Sequence, residues 1–129
     1  MAVKKMIYIV EDHVPNIQLY KAIFDKMDNI EVKCETRGDK GLEMIKNGNP
    51  DLIILDYKLP EMDGITICAS IRNIDRFKTV PIIAVSSSPI KGNREEIFSQ
   101  AGFNELISKP INIKNLRKIT EKYLNSEKI

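Results

Sequence analysis

The feature that most narrows the folds open to this chain is a set of short apolar runs, each followed by a stretch of helical periodicity. Met6-Ile-Tyr-Ile-Val10, Leu52-Ile-Ile-Leu55 and Val80-Pro-Ile-Ile-Ala-Val85 lack polar alternation and are too short for buried helices. Such runs read as strands covered on both faces, as in a parallel sheet, the first of them spanning Lys5–Val10. Pro81 is tolerated near the start of its strand, where a missing N–H costs little. Two further runs look like edges: residues 30–34 alternate apolar and polar, and residues 104–108 are short. Helical spacing is expected over 14–27, 38–47, 65–74, 92–101 and 113–124. Pro15 suits the first turn of the first helix, whose apolar face holds Tyr20, Ile23, Phe24 and Met27. Gly102 stands where it can cap the fourth, and Leu116, Ile119, Thr120 and Tyr123 share a face of the last. Residues 58–64 read as a loop holding Pro60 and Gly64.

Five strands alternating with five helices predict an α/β fold, a doubly wound five-stranded parallel sheet of order 2-1-3-4-5, the flavodoxin-like arrangement. A length of 129 residues suits one domain, 1–129 with a core over about 4–124. A net charge of +2, with lysines interleaved among acids, gives no footprint for direct nucleic-acid binding. No apolar run is long enough to span a bilayer, and the start of the chain lacks the pattern of a secretory signal, so the expected location is cytoplasmic, away from any membrane. Cys34 and Cys68 have no CxxC spacing, and His13 is the only histidine, which argues against a Cys/His zinc site.

In a sheet of this order, ligands bind beyond the carboxyl ends of the strands. Those ends carry Glu11 and Asp12, then Asp56, then Ser86 with Ser87 and Ser88, then Lys109 and Pro110. Strands 1 and 3 would be neighbours roughly 4.8 Å apart, bringing Glu11, Asp12 and Asp56 together. Three converging carboxylates repel one another unless a cation offsets them or their pKa values rise. Magnesium, which takes oxygen ligands and one or two carboxylates directly, answers that need. Lys109 brings a compact positive charge and Ser86 a hydroxyl donor. Each part alone has an ordinary structural reading: helix cap, solvated acid pair or turn serine. Together, on four strand ends, they describe a phosphoryl-transfer site with a carboxylate nucleophile that forms an acyl phosphate.

The segments Ile7-Tyr-Ile-Val-Glu-Asp12, Pro50-Asp-Leu-Ile-Ile-Leu-Asp-Tyr-Lys-Leu-Pro-Glu-Met-Asp-Gly64, Val80-Pro-Ile-Ile-Ala-Val-Ser86 and Ala101-Gly-Phe-Asn-Glu-Leu-Ile-Ser-Lys-Pro110 resemble the CheY-like receiver domains of two-component response regulators. The resemblance covers nearly the whole chain and implies a stand-alone phosphorylation switch. Asp56 would be the phospho-acceptor. Asp12 would hold Mg2+ directly, Glu11 mainly through water, and Asp56 and the backbone carbonyl of Lys58 would complete the protein's ligands; Mn2+ could substitute. Ser86 and Lys109 would bind the phosphoryl group, Lys109–Pro110 would be a cis peptide, and Pro60 and Gly64 would shape the loop after the acceptor. The chain would catalyse its own phosphorylation and dephosphorylation rather than act as an ordinary enzyme. Its partners would be a sensor histidine kinase or histidine phosphotransfer protein, and a downstream protein reading the face of helix 4, strand 5 and helix 5.

The sequence departs from the family pattern at Leu106, where a Tyr or Phe usually serves as an aromatic switch, and at Ser87, usually Ala. Lys58 and Ser88 occupy positions that the resemblance implies tune dephosphorylation in that family. Three other readings compete. A dehalogenase-type phosphatase needs a second acid two residues after the nucleophile, where Lys58 stands. A degenerate receiver acting only as a binding module would have lost Asp56, the acid pair or Lys109. A flavin-binding protein would need a glycine-rich phosphate loop after strand 1, where Glu11 and Asp12 would repel a phosphate.

Overall fold

Leu52–Asp56 and Ile82–Ser86 are buried at every residue, so both runs lie in the middle of the molecule with side chains packed on either face. The computed structural model describes residues 4–59, 62–87, 96 and 100–124. Over these the chain runs β1 (Lys5–Val10), α1 (Val14–Asp25), β2 (Ile30–Glu35), α2 (Gly38–Lys46), β3 (Leu52–Asp56), α3 (Gly64–Arg72), a 3₁₀ turn (Asp75–Phe77), β4 (Ile82–Ser86), β5 (Glu105–Ser108) and α4 (Ile113–Leu124). All strand pairs are parallel, in the order β2-β1-β3-β4-β5, so the predicted doubly wound sheet is the observed one. Most of the helix expected over 92–101 lies outside the described residues, as do Pro60 and Ser88.

The period-two alternation of a strand divides the core into two layers. Tyr8 and Val10, Ile53 and Leu55, and Ile82 and Ala84 pack with Leu42 and Ile45 of α2 and Ile67, Cys68 and Ile71 of α3. Ile7 and Ile9, Leu52 and Ile54, Ile83 and Val85, and Ile107 pack with Tyr20, Ile23 and Phe24 of α1 and Leu116 and Leu124 of α4. Burying one such side chain contributes about 1.5–3 kcal/mol, and the strands supply most of these contacts to both layers. The edge strands β2 and β5 keep several half-exposed positions, as their composition requires.

Element boundaries differ from expectation by one or two residues, for local reasons. β4 begins at Ile82 rather than Val80; Pro81 gives no N–H, and its carbonyl instead accepts from Ile53 N–H at 2.9 Å. α3 begins at Gly64 because the Asp63 carboxylate caps it, accepting from Thr66 N–H at 2.8 Å. Gly64 is also required by a close approach: a Cβ there would lie 2.8 Å from the Asp56 carbonyl oxygen and 3.1 Å from Tyr57 Cα. The 3₁₀ turn at Asp75–Phe77 was not legible as an element, being one turn long.

Arg72, the last residue of α3, ties together the amino-terminal ends of β4 and β5. Its guanidinium donates to the carbonyls of Phe77 (2.8 Å), Val80 (2.7 Å) and Gly102 (3.0 and 2.7 Å) and to Asn104 Oδ1 (2.9 Å). Gly102 adopts φ of 108°, a backbone state open to glycine, and its carbonyl is the one Arg72 holds twice. Arg72→Met keeps the aliphatic stem but leaves these acceptors without their charged donor. It is expected to cost about 2–4 kcal/mol of unfolding free energy by denaturant titration, where an ordinary half-exposed arginine would cost under about 0.5 kcal/mol.

Candidate functional site

Parallel register decides which strand-end residues meet. Val10 pairs with Leu55, so Glu11, the next residue, arrives beside Asp56. Glu11 continues the side of β1 that carries Ile7 and Ile9, Asp56 the side of β3 that carries Leu52 and Ile54, and Lys109 the side of β5 that carries Ile107. All three therefore emerge on the α1/α4 side of the sheet. The ladders run on to these residues: Glu11 N–H donates to Glu35 O at 3.0 Å, Tyr57 N–H to Val85 O at 2.8 Å, and Lys109 N–H to Ser86 O at 2.8 Å.

Glu11 and Asp56 are buried acids, 1% and 6% exposed, while Asp12 at the rim is exposed. Carboxylate oxygens of the three lie within 4.8 Å of one another, the one group of three metal-competent side chains so placed among the described residues. Lys109 Nζ stands 3.1 Å from Asp56 Oδ2 and 3.4 Å from Glu11 Oε1, and is itself largely covered. Asp56 Oδ1 accepts from Lys58 N–H at 3.3 Å. Ser86 is buried on β4 and shares its side of the strand with Ile82 and Ala84, on the α2/α3 layer. Ser87, Lys58 and Pro110 are exposed, Leu106 packs at the margin of the α2/α3 layer, and the Lys109–Pro110 peptide is cis.

The electrostatics follow from this arrangement. Burial, and then the Asp56 carboxylate beside it, push Glu11 up from 4.5 to about 7, against the opposing pull of His13 N–H and Lys109. For Lys109, burial alone would lower the pKa, yet contact with Asp56 and Glu11 raises it above the ordinary lysine value. Three carboxylates face one ammonium group, so the site holds excess negative charge lined with oxygen donors. Those donors suit a hard divalent cation. The residues present therefore fit a bound metal ion.

Two contributors were not singled out from the sequence. His13 occupies the N-cap of α1, and its backbone N–H donates to Glu11 Oε2 at 3.2 Å. Asn16, in the first turn of α1, donates from Nδ2 to Glu11 Oε1 at 3.4 Å. The available signal was the helix start just after the acid pair, which brings its first turn back over Glu11.

The raised Glu11 pKa links the site to folding. Between about pH 4.5, its unfolded value, and about pH 7, the folded chain binds the extra proton. Stability should therefore fall as pH rises through that window, when no metal is present. Urea unfolding in chelator is expected to show a loss of about 2 kcal/mol between about pH 5 and about pH 8, most of it absent from Glu11→Gln. A dependence that survives unchanged in that variant would show that another group is responsible.

Comparison with known proteins agrees with this geometry. The sequence pattern of the response regulator receiver domain matches residues 7–121. The polar-differentiation response regulator DivK of Brucella anthropi is 30% identical over 120 residues, spanning 93% of this chain and 96% of that protein. The receiver domain of the sensor histidine kinase PA1611 from Pseudomonas aeruginosa, solved with a magnesium ion coordinated in its active-site cleft, superposes with a TM-score of 0.85 at 27% identity, covering 96% of this chain and 100% of that one. The chemotaxis response regulator CheY4 of Vibrio cholerae gives a TM-score of 0.86 at 20% identity, over 94% of this chain and 99% of that one, a likeness of fold alone. With the matched pattern spanning both core layers and every strand end that carries the acids and the lysine, the chain belongs to the response regulator receiver family of two-component signalling.

Proposed function

We propose that this protein is a phosphorylation switch in which Asp56 accepts a phosphoryl group with Mg2+ bound beside it. The observation that carries the reading is the buried Asp56 carboxylate held 3.1 Å from Lys109, with the Glu11 and Asp12 carboxylates within 4.8 Å. Asp12, Asp56 and the Lys58 carbonyl are the protein's direct ligands in this reading, and Glu11 acts mainly through water. Bound Mg2+ supplies charge neutralisation, which lets a phosphate dianion approach the acid cluster. An Asp56 carboxylate oxygen attacks phosphorus, the phosphorus–nitrogen bond of a phosphohistidine donor breaks, and the imidazole leaves. Lys109 offsets charge on the transferred group, and the Ser86 hydroxyl donates to one of its oxygens.

The donor is a sensor histidine kinase or a histidine phosphotransfer protein, and the output is contact with another protein. In this reading that contact uses the face of β5 and α4 together with the helix expected over 92–101, most of which lies outside the described residues, in a cytoplasmic protein. Among the described residues no helix is long and apolar enough to cross a membrane. Phosphorylation adds charge and acceptor oxygens at Asp56, and a population shift follows if Ser86 and Lys109 contact them only in one state.

Incubation with acetyl phosphate and Mg2+ is expected to add one phosphoryl group by intact mass, and none in chelator or in Asp56→Asn. Modification that persists in Asp56→Asn would sink the assignment of the acceptor. Calorimetric titration with Mg2+ should show Asp12→Asn losing more affinity than Glu11→Gln, by about tenfold, because a direct ligand outweighs a water-mediated one. Equal losses would mean the two acids share one role.

A further inference from the structure

Tyr20 is 1% exposed, and its hydroxyl is the one buried side-chain polar atom among the described residues without a hydrogen-bond partner. A tyrosine that served only to fill the core would do better as phenylalanine, since an unsatisfied buried hydroxyl carries an uncompensated desolvation cost. The position of this hydroxyl suggests a use for it. Asn16, one helical turn earlier on the same face of α1, touches Glu11 Oε1 at 3.4 Å. Helical side chains lean toward the N-terminus over the residue four positions back. The Tyr20 ring thus rises from one turn below Asn16 toward the acids. It lies in the same core layer as Ile7, Ile9 and Ile54, whose strand faces continue into Glu11 and Asp56. Burial first, and then the charges of Glu11 and Asp56, raise the phenol above its ordinary pKa, as expected for a hydroxyl lying under that cluster.

We propose that Tyr20 is a positioning residue of the cation site: its hydroxyl donates, through one enclosed water, to the buried side of the Glu11 carboxylate and fixes the orientation in which Glu11 faces the cation. Buried waters characteristically bridge polar groups that would otherwise be unsatisfied, and a Tyr hydroxyl below a carboxylate offers both a donor and an acceptor to one. The arrangement extends the hold that Asn16 and His13 N–H already exert on Glu11 from above. The inference rests on the reading of the acid cluster as a Mg2+ site.

The test is a double-mutant cycle on Mg2+ affinity, measured by calorimetry on the wild-type chain, Tyr20→Phe, Glu11→Gln and the double variant. Tyr20→Phe removes one oxygen and keeps the ring, and is expected to weaken Mg2+ binding about tenfold. In the Glu11→Gln background the same substitution should change affinity less than about twofold, because its effect runs through Glu11. In metal-free wild-type protein, the Tyr20 hydroxyl proton should give a slowly exchanging resonance in a proton NMR spectrum. Wild-type affinity in Tyr20→Phe, a loss undiminished in the Glu11→Gln background, or a freely exchanging hydroxyl would each overturn the proposal. A wild-type chain that takes up no Mg2+ is a separate outcome; it removes the underlying reading and this inference with it.

Discussion

One ammonium group facing two buried carboxylates is the contact on which the rest of the site depends. Glu11 and Asp56 are brought side by side by the β1–β3 register, and neither reaches bulk water freely. Two such groups repel one another, and burial makes each charge costly. Lys109 offsets part of that charge from 3.1 and 3.4 Å away, and its backbone is fixed by the bond from its N–H to Ser86 O. A slip of one residue between β4 and β5 would turn its side chain to the opposite layer and strand the acids. Burial, and then the Asp56 carboxylate, raise the Glu11 pKa in spite of Lys109, and the excess of carboxylates over ammonium groups is what makes the cluster receptive to a cation.

The two ends of the sheet are built on opposite terms. At the carboxyl end, like charges crowd together and Asp12, Lys58 and Ser87 stand exposed. At the amino end, loops are pinned by saturated hydrogen bonding. Arg72 holds the approaches to β4 and β5; Arg76 donates to Gly48 O at 2.8 Å and Asn49 Oδ1 at 3.1 Å before β3 and lies over the Phe77 ring at 4.0 Å. Asp51 accepts from Met6 N–H at 2.8 Å, and Asn104 Oδ1 from Ile82 N–H at 2.8 Å. Repulsion at one end is tolerable because the strands carrying it are anchored at the other and buried between two apolar layers.

The fold was readable because its strongest signals are collective. Three unalternated apolar runs and two weaker ones dictate a parallel sheet with edges, and the carboxyl-end rule then points to Glu11, Asp12, Asp56, Ser86 and Lys109 without further knowledge. Interactions that depend on three-dimensional return of the chain were not readable. Nothing local marks the carbonyl partners of Arg72, 5 to 30 residues away. Tyr20 fits the apolar face of α1 just as a phenylalanine would, so nothing in the sequence pattern marks its hydroxyl. Asp63 was legible in principle, as an Asp before a helix, but the adjacent Gly64 made the segment read as loop one residue too far.

The division of the core into two layers also bears on how a change at Asp56 can spread. Asp56 and Lys109 belong to the α1/α4 side, whereas Ser86 shares its side of β4 with Ala84, on the α2/α3 layer, where Leu106 also packs. Ala84 pairs with Leu106 in the β4–β5 ladder, and Ser86 with Ser108. If Ser86 is drawn toward a group on Asp56, the displacement enters the α2/α3 layer at Ala84 and Leu106, while Lys109 transmits to the α1/α4 layer. Packed interiors deform little, so a pull on Ser86 moves the margin of the sheet, where Leu106 is only half covered, before it moves the centre, where Ile83 and Ile54 are fully enclosed. Leu106, half-covered at that margin, has no aromatic ring to rotate and no hydroxyl to expose, so a signal arriving there is not read as a ring flip or a freed hydroxyl.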